Sequence, residues 1–171
     1  MNYFNDNKDF GISTFNKAII KDFFRTYLFK VVMGDGFECH WISNTQTPIV
    51  NTSAQVVDYM HTQIKVGGKT LPQQWQITVR DDADGKAFAY FNNWRREIYP
   101  IMTGTLPGRY KKDINLILIS PKIVTPQRNY IIRGVWPMEI GNIQLDYESD
   151  NISTFPITLS FDYYDIAGVG E

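Results

Sequence analysis

The segment 153–165, "STFPITLSFDYYD", alternates apolar and polar residues almost without interruption. Strict alternation is typical of a β-strand that buries one face and exposes the other. The residues predicted on the buried face are Phe155, Ile157, Leu159, Phe161 and Tyr163, and those predicted on the polar face are Thr158, Ser160 and Asp162. A chain that ends in such a strand must build a sheet with one side covered by a core.

Similar patterns recur along the chain. Strands are predicted at 26–34, 37–41, 54–66, 74–80, 113–120, 129–136, 142–147 and 154–164. Glycines at 34 and 36 indicate a hairpin between the first two, and Gly67-Gly68 indicates a turn after the third. Residues 148–151 predict a C-terminal hairpin in which Ile143 and Leu145 are buried. Pro156 would remove one ladder hydrogen bond and therefore predicts an edge or a bulge.

One segment has the period of a helix. Residues 84–98 place Ala87, Phe91, Trp94 and Ile98 on one stripe, and Pro100 follows. Asp82 or Asp84 is predicted to cap the first turn. We expect the stripe to pack on the sheet.

These patterns predict a mainly β (α+β) fold. The expected architecture is a β-sandwich or small β-barrel of about eight mostly antiparallel strands with one flanking α-helix. A length of 171 residues favours one domain. Residues 25–171 are assigned to it, 1–24 are predicted to form an N-terminal arm with a short helix, and the polar, turn-rich residues 43–53 are predicted to form a long loop.

Composition narrows the classes of function. The formal net charge is −1, which gives no bulk attraction to nucleic acid or to an anionic membrane. No run approaches the roughly 18 apolar residues of a membrane span. Cys39 is the only cysteine, so an internal disulfide is excluded and a reducing compartment such as the cytoplasm is expected.

No motif predicts catalysis, a cofactor or a metal. "VGGKT" at 66–70 lacks the first glycine of a phosphate-binding loop, because Gln63 stands there. "DDADGKAF" fails as a calcium loop at its first and last ligand positions. Cys39 and His40 are neighbours on a predicted strand and would point to opposite faces, with Cys39 in the core.

The later half of the sequence resembles a known family. "RGVWPMEIGNIQLDYESDNISTFPITLSFDYYD" at 133–165 is similar to the C-terminal part of the tail tube proteins of contractile-tailed bacteriophages. "LPQQWQITVRDDADGKAFAYFNNW" at 71–94 resembles the strand, acidic turn and helix of the same family. The resemblance covers about two-thirds of the chain in collinear order, and it is weak at 1–24 and 43–56.

The resemblance implies a structural protein rather than an enzyme. Members form hexameric rings whose sheets join into one barrel, and the rings stack into a hollow conduit for DNA ejection; bacteriocin and type VI secretion tubes share the fold. The implied partners are further copies of the chain, the tail sheath protein, a baseplate tube-initiator and the tape-measure protein, while DNA passes without sequence-specific binding and no membrane is entered. The implied location is the virion tail, after folding in the host cytoplasm.

The resemblance also suggests assembly surfaces. An extended loop of related tubes contacts the neighbouring ring, and its expected counterpart is Thr45, Gln46, Thr47, Pro48, Ile49, Val50, Asn51 and Thr52. The polar face of the C-terminal hairpin would line the channel through Gln144, Asp146, Thr158, Ser160 and Asp162. Two alternatives remain open: a baseplate tube-initiator or hub protein of the same fold, and a ligand-binding β-barrel.

Overall fold

The computed structural model describes residues 25–34, 36–100, 110–120, 126–148 and 150–167. These residues form nine strands, one α-helix and a single 3₁₀ turn at Cys39–Trp41. The elements are β1 (Phe29–Val32), β2 (Ile42–Thr45), β3 (Val50–Tyr59), β4 (Thr62–Pro72), β5 (Trp75–Arg80), α1 (Lys86–Ile98), β6 (Lys112–Ile119), β7 (Pro126–Ile140), β8 (Thr154–Ser160) and β9 (Tyr163–Ala167). The predicted N-terminal arm, residues 1–24, lies outside the described residues.

Seven strands form one antiparallel sheet in the order β1-β6-β7-β8-β5-β2, with β9 also paired to β7. The long strand β7 belongs to two halves of this sheet. Its first part pairs with β6 and β9, and its last part, from Trp136 to Ile140, pairs with β8. Among the described residues, strands β3 and β4 pair only with each other.

The change of partners along β7 occurs next to Gly134, whose φ of 66° lies in the left-handed region. A side chain at this position would also collide with the carboxylate of Asp162. Glycine is therefore required by both the backbone conformation and the lack of space. The bend lets one strand serve both halves of the sheet.

The core lies between the two halves and the helix. In β5, Trp75, Ile77 and Val79 are buried, and the polar residues between them are not. The other large, fully buried side chains include Phe155, Ile157 and Leu159 of β8, Ile114 and Leu116 of β6, Val31 of β1 and Ile132 of β7. The structure confirms the predicted fold class, the strand at 74–80 and the buried face from Phe155 to Phe161. The strand predicted at 154–164 is wrong at its end, because β8 stops at Ser160 and β9 pairs with β7 instead; Tyr163 is therefore 56% exposed.

The predicted helix is also confirmed. Ala87, Phe91 and Trp94 of α1 are buried against the sheet. The Trp94 indole nitrogen donates a hydrogen bond of 2.7 Å to the carbonyl of Tyr110, and the Lys112 ammonium lies 4.7 Å from its ring centroid. These contacts give the polar edge of the indole a partner while its ring fills the core.

The predicted capping residues of the helix are wrong. Gly85 occupies the N-cap position in a left-handed conformation, and Asp81 Oδ1 accepts a hydrogen bond of 3.2 Å from the Phe88 amide instead. Asp82 accepts a hydrogen bond of 2.8 Å from the Trp41 indole. The acidic turn thus ties the helix to the preceding strand and to the 3₁₀ turn.

The strand predicted at 37–41 is wrong, and so is its hairpin with 26–34. Strand β1 pairs with β6, and residues 39–41 form the 3₁₀ turn. A 3₁₀ turn has a period of three rather than two. Trp41 is therefore buried while Cys39 is exposed, which contradicts the expectation of a core cysteine.

The loop predicted at 43–53 is largely strand, since β2 ends at Thr45 and β3 begins at Val50. The glycines at 67 and 68 lie inside β4 and form no turn, because the hairpin turns at Met60, whose φ is 51°. Gly68 lies in a bulge of β4 opposite Ser53, and a Cβ there would lie 2.5 Å from Ser53 Oγ. Glycine relieves crowding at the bulge.

The strand predicted at 142–147 is also wrong. Residues 141–146 have no regular structure, and Leu145, predicted to be buried, is 87% exposed. The reason is that β8 pairs with β5 on one side and β7 on the other, which leaves no edge for another strand. Pro156 lies in this interior strand and not at an edge; its carbonyl accepts from the Gly141 amide at 2.7 Å, where the pairing with β7 ends.

Candidate assembly surfaces

The most unusual feature of the structure is the two-stranded ribbon formed by β3 and β4, residues 50–72. Its strands have ten and eleven residues, which corresponds to a length of about 30 Å at roughly 3.3 Å per residue. Every residue from 51 to 67 is exposed, so both faces of the ribbon are open to solvent. The ribbon therefore projects from the body of the domain.

The outer part of the ribbon has one apolar face. The cross-strand pairs Val57–Ile64, Tyr59–Thr62 and Gln55–Val66 lie on this face. The intervening pairs, Val56–Lys65 and Asp58–Gln63, lie on the opposite face and are mixed in polarity. The exposed fractions of the large apolar side chains are 52% for Val57, 60% for Tyr59, 52% for Ile64, 50% for Val66 and 85% for Met60 at the tip.

An isolated two-stranded ribbon is marginally stable in water because it has no core of its own. A contiguous exposed apolar surface is also uncommon on monomeric proteins and marks an interaction site. Together these properties indicate that the ribbon is completed by another protein surface.

The base of the ribbon is held firmly to the sheet. The Trp75 indole nitrogen donates a hydrogen bond of 2.7 Å to the carbonyl of Gln46, and the Gln73 amide donates one of 2.9 Å to the carbonyl of Ile49. The contact loop expected at Thr45–Thr52 therefore comprises the end of β2, a four-residue connection and the first residues of β3. These residues form the base, and the sequence interpretation missed the projecting part at 54–67.

The residues expected to line a channel do not all share one face. Thr158 and Ser160 lie on the face of β8 opposite the core, and Gln76 and Thr78 are exposed or half-buried on the neighbouring strand β5. Asp162 lies beyond β8, at the break before β9. Gln144 and Asp146 lie in the connection between β7 and β8. Their position relative to a channel remains a prediction.

Two ion pairs flank the bend of β7. Lys111 Nζ lies 2.7 Å from both carboxylate oxygens of Asp162, and Arg133 Nη1 lies 2.6 Å from Asp113 Oδ2. The hydrogen bond from Arg133 lowers the pKa of Asp113, and the hydrogen bond to Asp162 raises the pKa of Lys111. All four side chains are partly exposed, so each pair contributes modestly to stability.

The described residues contain no group of three or more histidine, cysteine, aspartate or glutamate side chains placed to hold a metal ion. Among the same residues, no helix has the length and apolar character needed to cross a membrane.

An antiparallel sheet with a flanking helix and a projecting, exposed ribbon is the architecture of a protein that assembles with other protein surfaces. Comparison with solved structures supports the fold. The chain aligns with a chain of the anti-feeding prophage tube-terminating cap with a TM-score of 0.65 and 21% identity, over 85% of this chain and 91% of that one. It aligns with a chain of the PVC sheath-tube complex, from an extracellular contractile injection system, with a TM-score of 0.60 and 18% identity, over 89% and 96% of the two chains.

Sequence comparison identifies the family. The family described as "Phage tail tube protein" matches residues 36–167, which is more than half of the chain. The chain is also 31% identical over 157 residues to the tail tube protein gp19 of Enterobacteria phage T4, covering 84% of this chain and 92% of that protein. The chain belongs to the phage tail tube protein family and is a structural component of the virion tail.

Proposed function

We propose that this chain forms hexameric rings that stack into a hollow tube, and that the tube is the conduit through which phage DNA is ejected. The match to gp19 extends over 92% of that protein, which supports a repeating tube subunit rather than a longer baseplate protein with added segments. The proposed partners are further copies of the chain, the tail sheath protein, a baseplate tube-initiator and the tape-measure protein. The chain would fold and assemble in the host cytoplasm and perform no catalysis.

The observation that carries this proposal is the ribbon. Its outer part exposes Val57, Tyr59, Ile64 and Val66 on one face, and no described part of the same chain covers them. Burying this face against the adjacent ring would remove apolar surface from water, which is the main driving force of stable association. The ribbon then acts as the contact between rings, with Thr45–Thr52 as its anchored base.

Contacts within a ring would use the edges of the sheet. Among the described residues, β1 pairs only with β6, β2 only with β5 and β9 only with β7. Unpaired edges present backbone donors and acceptors to a neighbouring strand. A contact between unlike edges closes into a ring when the rotation between copies allows it.

The channel lining would come from the polar side of β8. Thr158 and Ser160 are uncharged and would not hold the phosphate backbone of DNA, whose binding depends on Lys and Arg. Asp162, Gln144 and Asp146 are proposed to face the same channel. Their carboxylate groups would repel the phosphates of passing DNA, and the uncharged amide of Gln144 would not attract them.

The test is electron microscopy of the purified protein over a range of high concentrations. The full chain is expected to form tubes. In a shortened variant, a two-residue Asn-Gly turn replaces residues 55–66. The turn connects Ala54 to Gly67, which are paired across the ribbon, and the apolar face is removed. This variant should remain folded and form rings but no tubes.

A matched control variant keeps the full ribbon and replaces the exposed Asn93 of α1 by serine. The control should form tubes like the original chain. Tubes of normal length from the shortened variant would contradict the role of the ribbon. A full chain that forms single rings and never polymerises would favour the baseplate tube-initiator, and monomers at all concentrations would contradict the tube proposal.

A further inference from the structure

The strand register places the ribbon and the β7–β8 connection at opposite ends of one half of the sheet. Strand β5 starts at Trp75, directly after the ribbon, and its partner there is Leu159 near the end of β8. At the other end of β5, Arg80 pairs with Thr154, the first residue of β8. The β7–β8 connection, residues 141–148 and 150–153, therefore lies at the end away from the ribbon, where the Asp81 amide donates to the carbonyl of Ser153 at 3.1 Å.

The β7–β8 connection is the second apolar surface without a partner. Leu145, Tyr147 and Ile152 are 87%, 111% and 71% exposed. Three large apolar side chains this exposed on one short connection are unusual on a surface that faces only water. Together with the polar residues between them, they form a patch at the tip of the domain opposite the ribbon.

The two surfaces are complementary in charge. The β7–β8 connection carries Asp146, Glu148 and Asp150 and no basic residue. Three further acidic residues, Asp81, Asp82 and Asp84, follow β5 at the same end, beside the basic Arg80 and Lys86. The ribbon, residues 50–72, carries two lysines and a single aspartate.

The lysines of the ribbon are placed for a contact with another molecule. Lys65 lies on the mixed face of the outer part, across from Val56, and Lys69 lies nearer the base. Both are exposed. Opposite charges of this kind orient partners and set the register of an interface more than they add to its affinity.

We propose that the ribbon of one copy docks on the β7–β8 connection of the copy in the next ring, with apolar contacts to Leu145, Tyr147 and Ile152. This inference rests on the proposed stacking of rings and names the surface that receives the ribbon. When a second copy is placed further along the direction of β5 and β8, its ribbon meets the end of the first copy that carries the acidic β7–β8 connection. The contact joins unlike surfaces, so it repeats without closing and gives the tube a direction.

The contact cannot be satisfied within one chain, because the two surfaces lie at opposite ends of the same strands and both are exposed. A second copy of the chain is therefore the occupant: the apolar face of its ribbon covers Leu145, Tyr147 and Ile152, and the long side chain of Lys65 reaches the nearby carboxylates around the edge of the ribbon.

Charge reversal tests the pairing. Lys65→Glu with Lys69→Glu should raise the protein concentration needed for tubes by about ten-fold or more, because several weak attractions become repulsions. Glu148→Lys with Asp150→Lys, both on the β7–β8 connection, should have the same effect. Combining all four changes should restore tubes. A control pair on α1, Arg95→Glu with Arg96→Glu, should leave this concentration unchanged.

Several outcomes separate the two proposals. The docking surface would be overturned, and the tube proposal left intact, if the original chain forms tubes and either reversed pair also forms normal tubes. Failure of the variant with all four changes to recover tubes would overturn the docking surface in the same way. No tubes from the original chain would overturn both.

Cross-linking gives a second measurement that does not depend on variants. Tubes are assembled from equal amounts of ¹⁴N- and ¹⁵N-labelled chains and treated with a zero-length carbodiimide, which joins lysine to carboxylate. Mixed-isotope peptides linking Lys65 or Lys69 to Glu148 or Asp150 are expected. Lysines of the ribbon linked only to other parts of the neighbouring chain would overturn the inference.

Discussion

The carboxylate of Asp162 lies directly against Gly134 at the bend of β7, so that no side chain fits at position 134. The same carboxylate accepts two hydrogen bonds of 2.7 Å from Lys111, and the Asp162 amide donates to the carbonyl of Arg133 at 2.9 Å. These contacts fix the residues between β8 and β9 against β7, the strand that belongs to both halves of the sheet.

Replacing Gly134 by alanine should therefore destabilise the domain. The added Cβ meets Asp162, and the φ of 66° is strained for alanine, so the expected cost is about 1–3 kcal/mol. Urea unfolding of the purified protein measures it. Gly67→Ala is the matched control, since a Cβ at Gly67 meets no atom within 4 Å. Equal stability of the two variants would show that the bend tolerates a side chain.

Trp94→Ala should be among the most destabilising single changes in the chain. The side chain is 1% exposed and its indole is hydrogen-bonded, so truncation leaves a large cavity and should cost about 3–5 kcal/mol in the free energy of unfolding. Tyr99→Ala, at a position that is 57% exposed, serves as the control and should cost far less. A Trp94 variant that unfolds at the same urea concentration as the original chain would mean that α1 is not packed on the sheet.

The Asp113–Arg133 pair should contribute to the acid sensitivity of the fold. Because Arg133 lowers the pKa of Asp113 in the folded protein, the pair stabilises the fold above the ordinary carboxyl pKa. This stabilisation is lost as the pH falls through the lowered pKa. Asp113→Asn should therefore reduce the loss of stability between neutral pH and about pH 3, measured by urea unfolding. An unchanged pH dependence would show that the pair is not formed in solution.

Ser160→Lys tests the channel assignment. The residue lies on the face of β8 away from the core, and the change should alter monomer stability by no more than about 0.5 kcal/mol. Six or more added positive charges per ring would alter the field of a narrow channel and should impair DNA passage after tubes have formed. Asn93→Lys on the exposed side of α1 is the control. A fully infective phage carrying Ser160→Lys would refute the assignment.

The features that the sequence predicts well are those set by local periodicity. Strand β5, the buried face of β8 and the stripe of α1 each follow from the spacing of apolar residues such as Ile77, Phe155 and Phe91. These positions are buried because a single face of each element meets the core. The family resemblance predicts the same fold, and the family match confirms it.

The errors arise where partners distant in sequence decide the structure. The pattern of Ile143, Leu145 and Tyr147 is that of a strand, but β5 and β7 already occupy both edges of β8. The ribbon was missed because its turn at Met60 contains no glycine, while Gly67-Gly68 marks a bulge. The sequence alone does not assign the apolar residues of the ribbon to a surface, because no described part of the same chain packs on them.

The central claim is that this chain stacks into a tube through its ribbon, and a cryo-electron microscopy reconstruction of the assembled protein tests it most directly. The account predicts a hollow tube of six-fold rings in which each ribbon leaves its own ring and lies against the β7–β8 connection of the next. Rings that stack with their ribbons folded within the same ring, or a protein that stays monomeric at every concentration, would contradict it.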